Sequence, residues 1–290
     1  MTGTYLERLG ARSAAVSSVL CVGLDPDPTS LPDGFSPDLV GVERFCGLLV
    51  EAAAPYAAAF KPNLAFFEAF GSDGLAALER IRASIPADIP VVADAKRGDI
   101  GSTAARQAVA LFDGLGADAV TVNPYLGSEA VMPLLERLDR FAYLLCRTSN
   151  PGAGELQDLD VPAAPVAGAP AEPLYARVAR LATGWGPGGT VGLVVGATAP
   201  AELAAIRAIS PGLAFLVPGV GAQGGEVEPV LASGPATAAP AGGRLGGGLL
   251  VNISRGIASA AGVGTPTAGD IGEALGTAAR EWSRRLPVLP

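Results

Sequence analysis

The chain has 290 residues, 49% of them hydrophobic and 17% charged, which is core-forming material and not the composition of a disordered segment. A net charge of −8 argues against a nucleic-acid surface, so any basic side chain that binds an anion has to be placed locally. Histidine is absent, which removes His-based triads, His general bases and most zinc sites at once.

In chain order, the segment Arg12 to Leu24 (RSAAVSSVLCVGL) has the apolar character of a weak signal peptide. It lacks a cleavage-like ending and runs into Asp25-Pro26, so it reads as a first strand. Eight short runs rich in Val, Leu, Ala and Phe then recur: 18–25, 56–63, 90–96, 117–124, 141–148, 190–198, 213–221 and 248–254. Each is apolar on both faces for most of its length, as parallel strands covered by helices are. Helix signals lie between them. Ser36-Pro37-Asp38 predicts an N-cap with proline at the first helical position, and Thr198 with Pro200 predicts a similar start. Ser72 precedes a helix with Leu75, Leu78 and Ile81 on one stripe, and a last helix near 270–285 carries Ile271, Leu275, Ala278 and Trp282.

Eight strand–helix units predict a (β/α)8 TIM barrel in one domain over residues 1–290, with a doubly wound open sheet as the runner-up. Two stretches exceed ordinary loop length, at 150–173 and 232–248. Their Pro, Ala and Gly content predicts irregular excursions and not a second domain. Cys21, Cys46 and Cys146 sit on apolar segments without a CxxC pair, the pattern of buried thiols in a reducing compartment. No segment has the uninterrupted apolar length of a membrane span, so the expectation is a cytoplasmic protein without a membrane or nucleic-acid partner.

In a TIM barrel the C-terminal strand ends face the active site. Here those ends are polar: Asp25, Lys61 with Asn63, Asp94 with Lys96, Asn123, Thr148 with Ser149, and Ser254 with Arg255. Asp94 and Lys96 are two apart, so regular strand alternation would send both side chains to one face. Asp99 follows in the next turn, and Lys61 ends the neighbouring strand. Together the four groups predict an alternating, formally neutral network that keeps Lys96 protonated. A charged ammonium in an apolar cup can stabilise a carbanion and deliver a proton. The bland alternative is a solvated turn with incidental pairs, but a second lysine at the adjacent strand end favours chemistry.

A second constellation lies across the barrel. VPGVGAQGG (217–225) ends strand seven, and VNISRGI (251–257) ends strand eight at a helix start. Many barrels hold a phosphate at these two ends, where glycine-rich turns free backbone N–H groups. Pro218, Gln223, Ser254 and Arg255 line the proposed pocket, with Arg255 able to make a bidentate contact. Asn63 and Asn123 either satisfy strand-end backbone groups or face a ligand, and Ser149 and Asn150 either cap the chain or do the same. Phe66, Phe67 and Phe70 are expected to pack helix against barrel, and Cys146 is expected in the core.

With these residues assembled, the sequence resembles the orotidine 5′-phosphate decarboxylase family, its longer bacterial subfamily in particular. DAKRGDIGST (94–103) matches the D-x-K-x-x-D signature, and FKPN (60–63) the strand-two lysine. GLDP (23–26), TVNPYLG (121–127), TSNPG (148–152), PGVGAQGG (218–225) and SRGI (254–257) follow in the family's order. The resemblance implies decarboxylation of orotidine 5′-phosphate to UMP without metal or cofactor. Lys96 would protonate C6, Asp94 and Lys61 would complete the network, and Asp25 with Lys61 would reach ribose hydroxyls. It also implies that Ser149 contacts the pyrimidine edge and that Gln223 and Arg255 hold the 5′-phosphate. Asp99, Ile100 and Thr103 would enter a partner subunit's site, so that the enzyme is a homodimer with shared sites.

Two other functions compete. Relatives with the same signature act on sugar phosphates as Mg2+-dependent decarboxylases or aldolases, but carry an acidic residue where Lys61 stands. A non-catalytic nucleotide-binding barrel would keep Gln223 and Arg255 without needing Lys96 between two aspartates.

Overall fold

The computed structural model describes residues 3–163, 168, 170–239, 247–262 and 267–288. Eight parallel strands form its core: β1 (Leu20–Leu24), β2 (Ala59–Pro62), β3 (Val92–Arg97), β4 (Ala119–Val122), β5 (Phe141–Arg147), β6 (Val191–Val195), β7 (Ala214–Val217) and β8 (Leu249–Ile253). Each falls within or overlaps one of the eight apolar runs. The ladder order is β2-β1-β8-β7-β6-β5-β4-β3, every pair parallel. Two further parallel bridges, Phe60 to Val91 and Asn63 to Asp94, join β2 to β3. The sheet therefore closes on itself as a (β/α)8 barrel, and the open-sheet alternative falls away.

Helices cover the outside because the strands' outward residues are apolar too. Phe45, Leu49, Leu78, Ile81, Leu203, Ile206, Ile271 and Leu275 all pack into the layer between strands and helices. The three phenylalanines behave as expected: Phe67 is fully buried, and Phe66 and Phe70 lean on the same layer. Cys146 is in the core as well.

Helix starts differ in detail. The second helix (Leu39–Ala53) is capped by Asp38, not Ser36: Asp38 accepts from the Gly41 N–H while the Ser36 hydroxyl holds its carboxylate at 2.6 Å. Pro37 thus precedes the cap. The helix Gly71–Ser84 buries Gly74, Ala77, Leu78 and Ile81 and leaves Leu75 exposed, so its buried stripe is rotated from the predicted one. In the last helix (Ala268–Arg285), Ile271, Leu275, Ala279 and Ser283 are buried, with Ala278 and Trp282 half-buried beside them.

The segment from Arg12 is corrected in its first half. Residues Tyr5–Val16 form a helix, opened by a capping box between Thr4 and Glu7 and ended by Ser17 in a left-handed conformation (φ 53°). Only from Leu20 does the chain become strand. This helix closes the bottom of the barrel. Tyr5, Leu6 and Leu9 pack on the inward side chains Cys21, Ala59, Ala119, Phe141, Tyr143 and Leu250. Tyr5 stacks on Phe141 at 4.8 Å, and the Tyr5 and Tyr143 hydroxyls meet at 3.1 Å. Arg8 adds an ion pair to buried Asp118 (2.9 Å), which also accepts the Val91 N–H.

The 150–173 excursion is more ordered than its composition implies. A short helix (Gly154–Gln157) leads to an antiparallel hairpin pairing Asp160–Pro162 with Ala171–Pro173. Its tip, 164–167 with 169, lies outside the described residues, as does 240–246 of the second excursion.

The bottom plug yields a test. Tyr5→Ala is expected to cost roughly 3–5 kcal/mol in urea unfolding, as large-to-small core changes do. Tyr5→Phe, which removes only the hydroxyl pair, is expected to cost about 1 kcal/mol.

Candidate active site

The top of the barrel is set by an irregularity in β3. Its pairing with β4 runs Val92 to Ala119 and Ala93 to Val120, then jumps to Arg97 opposite Val122. Four residues of advance on β3 therefore face two on β4, and the surplus bulges at the strand end. Lys96 sits in this bulge with φ 47°, a left-handed conformation unusual for a side-chain-bearing residue. Simple alternation is thus not what brings Asp94 and Lys96 together. The bulge does, and Thr121 of β4 fixes it: its hydroxyl accepts the Lys96 N–H at 3.0 Å and donates to Asp94 Oδ1 at 2.8 Å. Thr121 is almost fully buried and was not singled out in sequence, where it reads as one more β-branched strand residue.

Asp94 is the hub. Lys61 Nζ lies 2.7 Å from its Oδ2, and Lys96 Nζ 2.7 Å from its Oδ1. The Asp94 backbone meanwhile closes the barrel, accepting the Leu64 N–H at 3.2 Å. Lys61 is buried, whereas half of the Lys96 side chain faces solvent, so the second ammonium is the one a ligand can reach. Burial alone would raise the Asp94 pKa, but the charges of Lys61 and then Lys96 outweigh it and hold the carboxyl well below its usual range. Burial alone would likewise lower that of Lys61, and Asp94 followed by Asp25 reverses the sign, leaving it raised.

Asp25 follows β1 on this same rim. Its Oδ1 is buried and accepts no hydrogen bond from the described residues, and the same holds for Oδ1 of Asn252 on β8. Acceptors of this kind are open to a donor from water or from a ligand in the cup. Asp99 is not part of the network within one chain. Its carboxylate accepts the Ile100 N–H at 2.7 Å, and no ion pair joins it to Lys61 or Lys96 among the described residues. Ile100 and Thr103 are exposed beside it at the start of the helix Gly101–Ala108. Asn123 is exposed and caps the Tyr125 N–H, the local role open to it from the start.

On the opposite rim the loop after β7 folds on itself through Gly225 N–H to Gly219 O (3.0 Å) and Gly221 N–H to Gly225 O (2.9 Å). Gly219 combines φ 98° with crowding: a Cβ there would lie 2.8 Å from Ser149 Cβ and 3.2 Å from Gln223 Oε1. A bare glycine thus lets Ser149 and Gln223 flank one point. Pro218 and Ser254 are half-buried on this rim, and Gln223 and Arg255 are exposed on it. No carboxylate pairs with Arg255 among the described residues, so its guanidinium is available to an anion.

The Orotidine 5′-phosphate decarboxylase / HUMPS family model matches residues 18–265. The chain belongs to this family. It is 48% identical over 256 residues to orotidine 5′-phosphate decarboxylase of Thermomicrobium roseum, covering 88% of this chain and 86% of that one. With the Roseiflexus castenholzii enzyme of the same name it shares 44% over 283 residues, 97% and 95% of the two chains. Among solved structures, Leishmania donovani OMP decarboxylase superposes with a TM-score of 0.79 at 39% identity, covering 97% of this chain and 96% of that one. Leishmania donovani UMP synthase gives 0.81 at 41%, with 98% of this chain covering 56% of that longer one.

The signs of the two shifts define a pH test. Asp94, with its pKa lowered by folding, contributes stability fully above the unfolded carboxylate value of 3.8, lost as pH falls through the folded one. Lys61, with its pKa raised, contributes fully below the unfolded value of 10.5, lost as pH rises through the folded one. Asp94→Asn strands the Lys61 ammonium and is expected to cost roughly 3 kcal/mol. In urea titrations that cost should stay flat from about pH 5 to about pH 9 and shrink in acid.

Proposed function

We propose that the chain decarboxylates orotidine 5′-phosphate to UMP and CO2, with Lys96 delivering the proton to C6 and without a metal or organic cofactor. The observation that carries this reading is the pair of ammoniums held at 2.7 Å on one carboxylate, with only Lys96 open to the cup. Loss of CO2 from orotate leaves a vinyl-type carbanion at C6 with little resonance help. A preoriented ammonium where that charge develops binds the transition state better than the ground state. Asp94 would face the departing carboxylate and hold Lys96 in place. Lys61 and the unpartnered Asp25 oxygen would take ribose hydroxyls, which supply the missing donors. Ser149 would meet the pyrimidine edge, and Gln223 with Arg255, flanked by Pro218 and Ser254, the 5′-phosphate. Binding energy from that distant phosphate can order the loops around the reacting carbon.

The Mg2+-dependent sugar-phosphate enzymes of the wider family are disfavoured by Lys61, since a buried ammonium 2.7 Å from Asp94 repels a divalent ion from that carboxylate. A pure nucleotide-binding role is disfavoured by the strained, internally paired Lys96, which binding alone does not require. We read the chain as one barrel domain and place it in the cytoplasm. Its three cysteines are free and buried, in keeping with a reducing compartment. Among the described residues no helix is long and apolar enough to cross a membrane.

We also propose a homodimer with shared sites. Asp99 pairs with no lysine of its own chain among the described residues, and Ile100, Tyr125 and Leu126 are apolar side chains left 58%, 80% and 55% exposed. In the dimer Asp99, Ile100 and Thr103 would complete the partner's network.

Two experiments follow. Purified protein in excess chelator should bleach orotidine 5′-phosphate in the ultraviolet, and Lys96→Ala should lose turnover by many orders of magnitude while still binding UMP; near-normal turnover in that variant would refute the proton-donor role. For shared sites, mixing Lys96→Ala with Asp99→Ala under subunit exchange should restore activity that neither parent has. A mixture as inactive as its parents sinks the shared-site arrangement.

A further inference from the structure

The 150–173 excursion has no task in decarboxylation as described, yet its hydrogen bonds converge on one point. At the end of β5, Gln157 grips Thr148 twice: its Oε1 accepts the Thr148 N–H at 2.8 Å, and its Nε2 donates to the Thr148 hydroxyl at 2.9 Å. The neighbouring Asp158 receives both Nε and Nη2 of Arg147, at 2.8 and 3.1 Å. Arg147 Nη1 in turn donates to the Thr148 carbonyl at 2.8 Å. Both peptide groups of Thr148 are therefore held by side chains, and Ser149 is the next residue.

Ser149 is held from its other side as well. A Cβ on Gly196 would lie 2.7 Å from the Ser149 nitrogen, and the Thr198 hydroxyl donates to the Ser149 carbonyl at 3.3 Å. The excursion is itself anchored. Buried Glu172 on its returning strand pairs with Arg177 and Arg180 of the following helix, and the Leu174 N–H bonds to the Leu159 carbonyl at 2.9 Å. Gln157 thus sits on a tethered segment and not on a free loop.

We infer that Gln157 is a positioning residue: its amide locks Thr148 so that the Ser149 hydroxyl is presented to the base edge, and the excursion exists to carry that amide. This rests on Ser149 facing the pyrimidine. Small displacements of a positioning contact are costly, since about 1 Å of misplacement can lose on the order of 100-fold in rate.

A double-mutant cycle on the full-length enzyme separates the ideas. Gln157→Ala is expected to lower kcat/KM about tenfold with Ser149 present, and by less than about twofold in a Ser149→Ala background, because contacts in one network are not additive. Gln157→Glu keeps the acceptor for the Thr148 N–H but lacks the Nε2 donor to the hydroxyl, which itself donates to Asn150 Oδ1 at 2.7 Å, so it should recover part of the loss. Equal factors in both backgrounds, a silent Gln157→Ala, or a Glu variant as impaired as the Ala one would overturn the inference. A silent Ser149→Ala would instead strike down the base-edge role of Ser149 itself.

Discussion

One carboxylate shared by two ammoniums is the constraint on which the cup is built. Burial alone would push Asp94 toward its neutral form, and the charges of Lys61 and then Lys96 keep it ionised, while Asp94 and then Asp25 keep buried Lys61 charged. The Asp94 backbone bridges β2 and β3, so the electrostatic hub and the seam of the barrel coincide. Charge placement and fold closure are in this way one requirement.

The two ends of the barrel are complementary in polarity. Below, a helix carrying Tyr5, Leu6 and Leu9 seals the interior with aromatic and aliphatic side chains. Above, the inward positions become Lys61, Asp94, Thr121 and Asn252. The apolar floor lowers the local dielectric under the buried Lys61–Asp94 pair, which strengthens that interaction.

Much of this was legible in sequence because it depends on local pattern. The eight strands read clearly since each is apolar on both faces, and the polar residues at their C-terminal ends marked the rim that carries the Lys61–Asp94–Lys96 network. What escaped depends on distant partners or on short segments. The helix Tyr5–Val16 has its capping signal at Thr4 and Glu7, but its buried face is only a few residues wide. The hairpin at 160–162 and 171–173 is three residues per strand, with Glu172 its one buried side chain, so it lacks an alternating signature. The bulge in β3 and the role of Thr121 need β4 alongside to exist at all. Asp99 was expected in the four-charge network and stands outside it within one chain.

The left-handed backbone at Lys96 carries an energetic cost. A β-carbon in that conformation costs of order 1–3 kcal/mol, and glycine would bear none of it. A glycine there would also remove one of the two charges that keep Asp94 ionised, so backbone strain and ion pairing pull in opposite directions at one residue. The position therefore keeps a locally unfavourable backbone because the buried carboxylate beside it needs that charge.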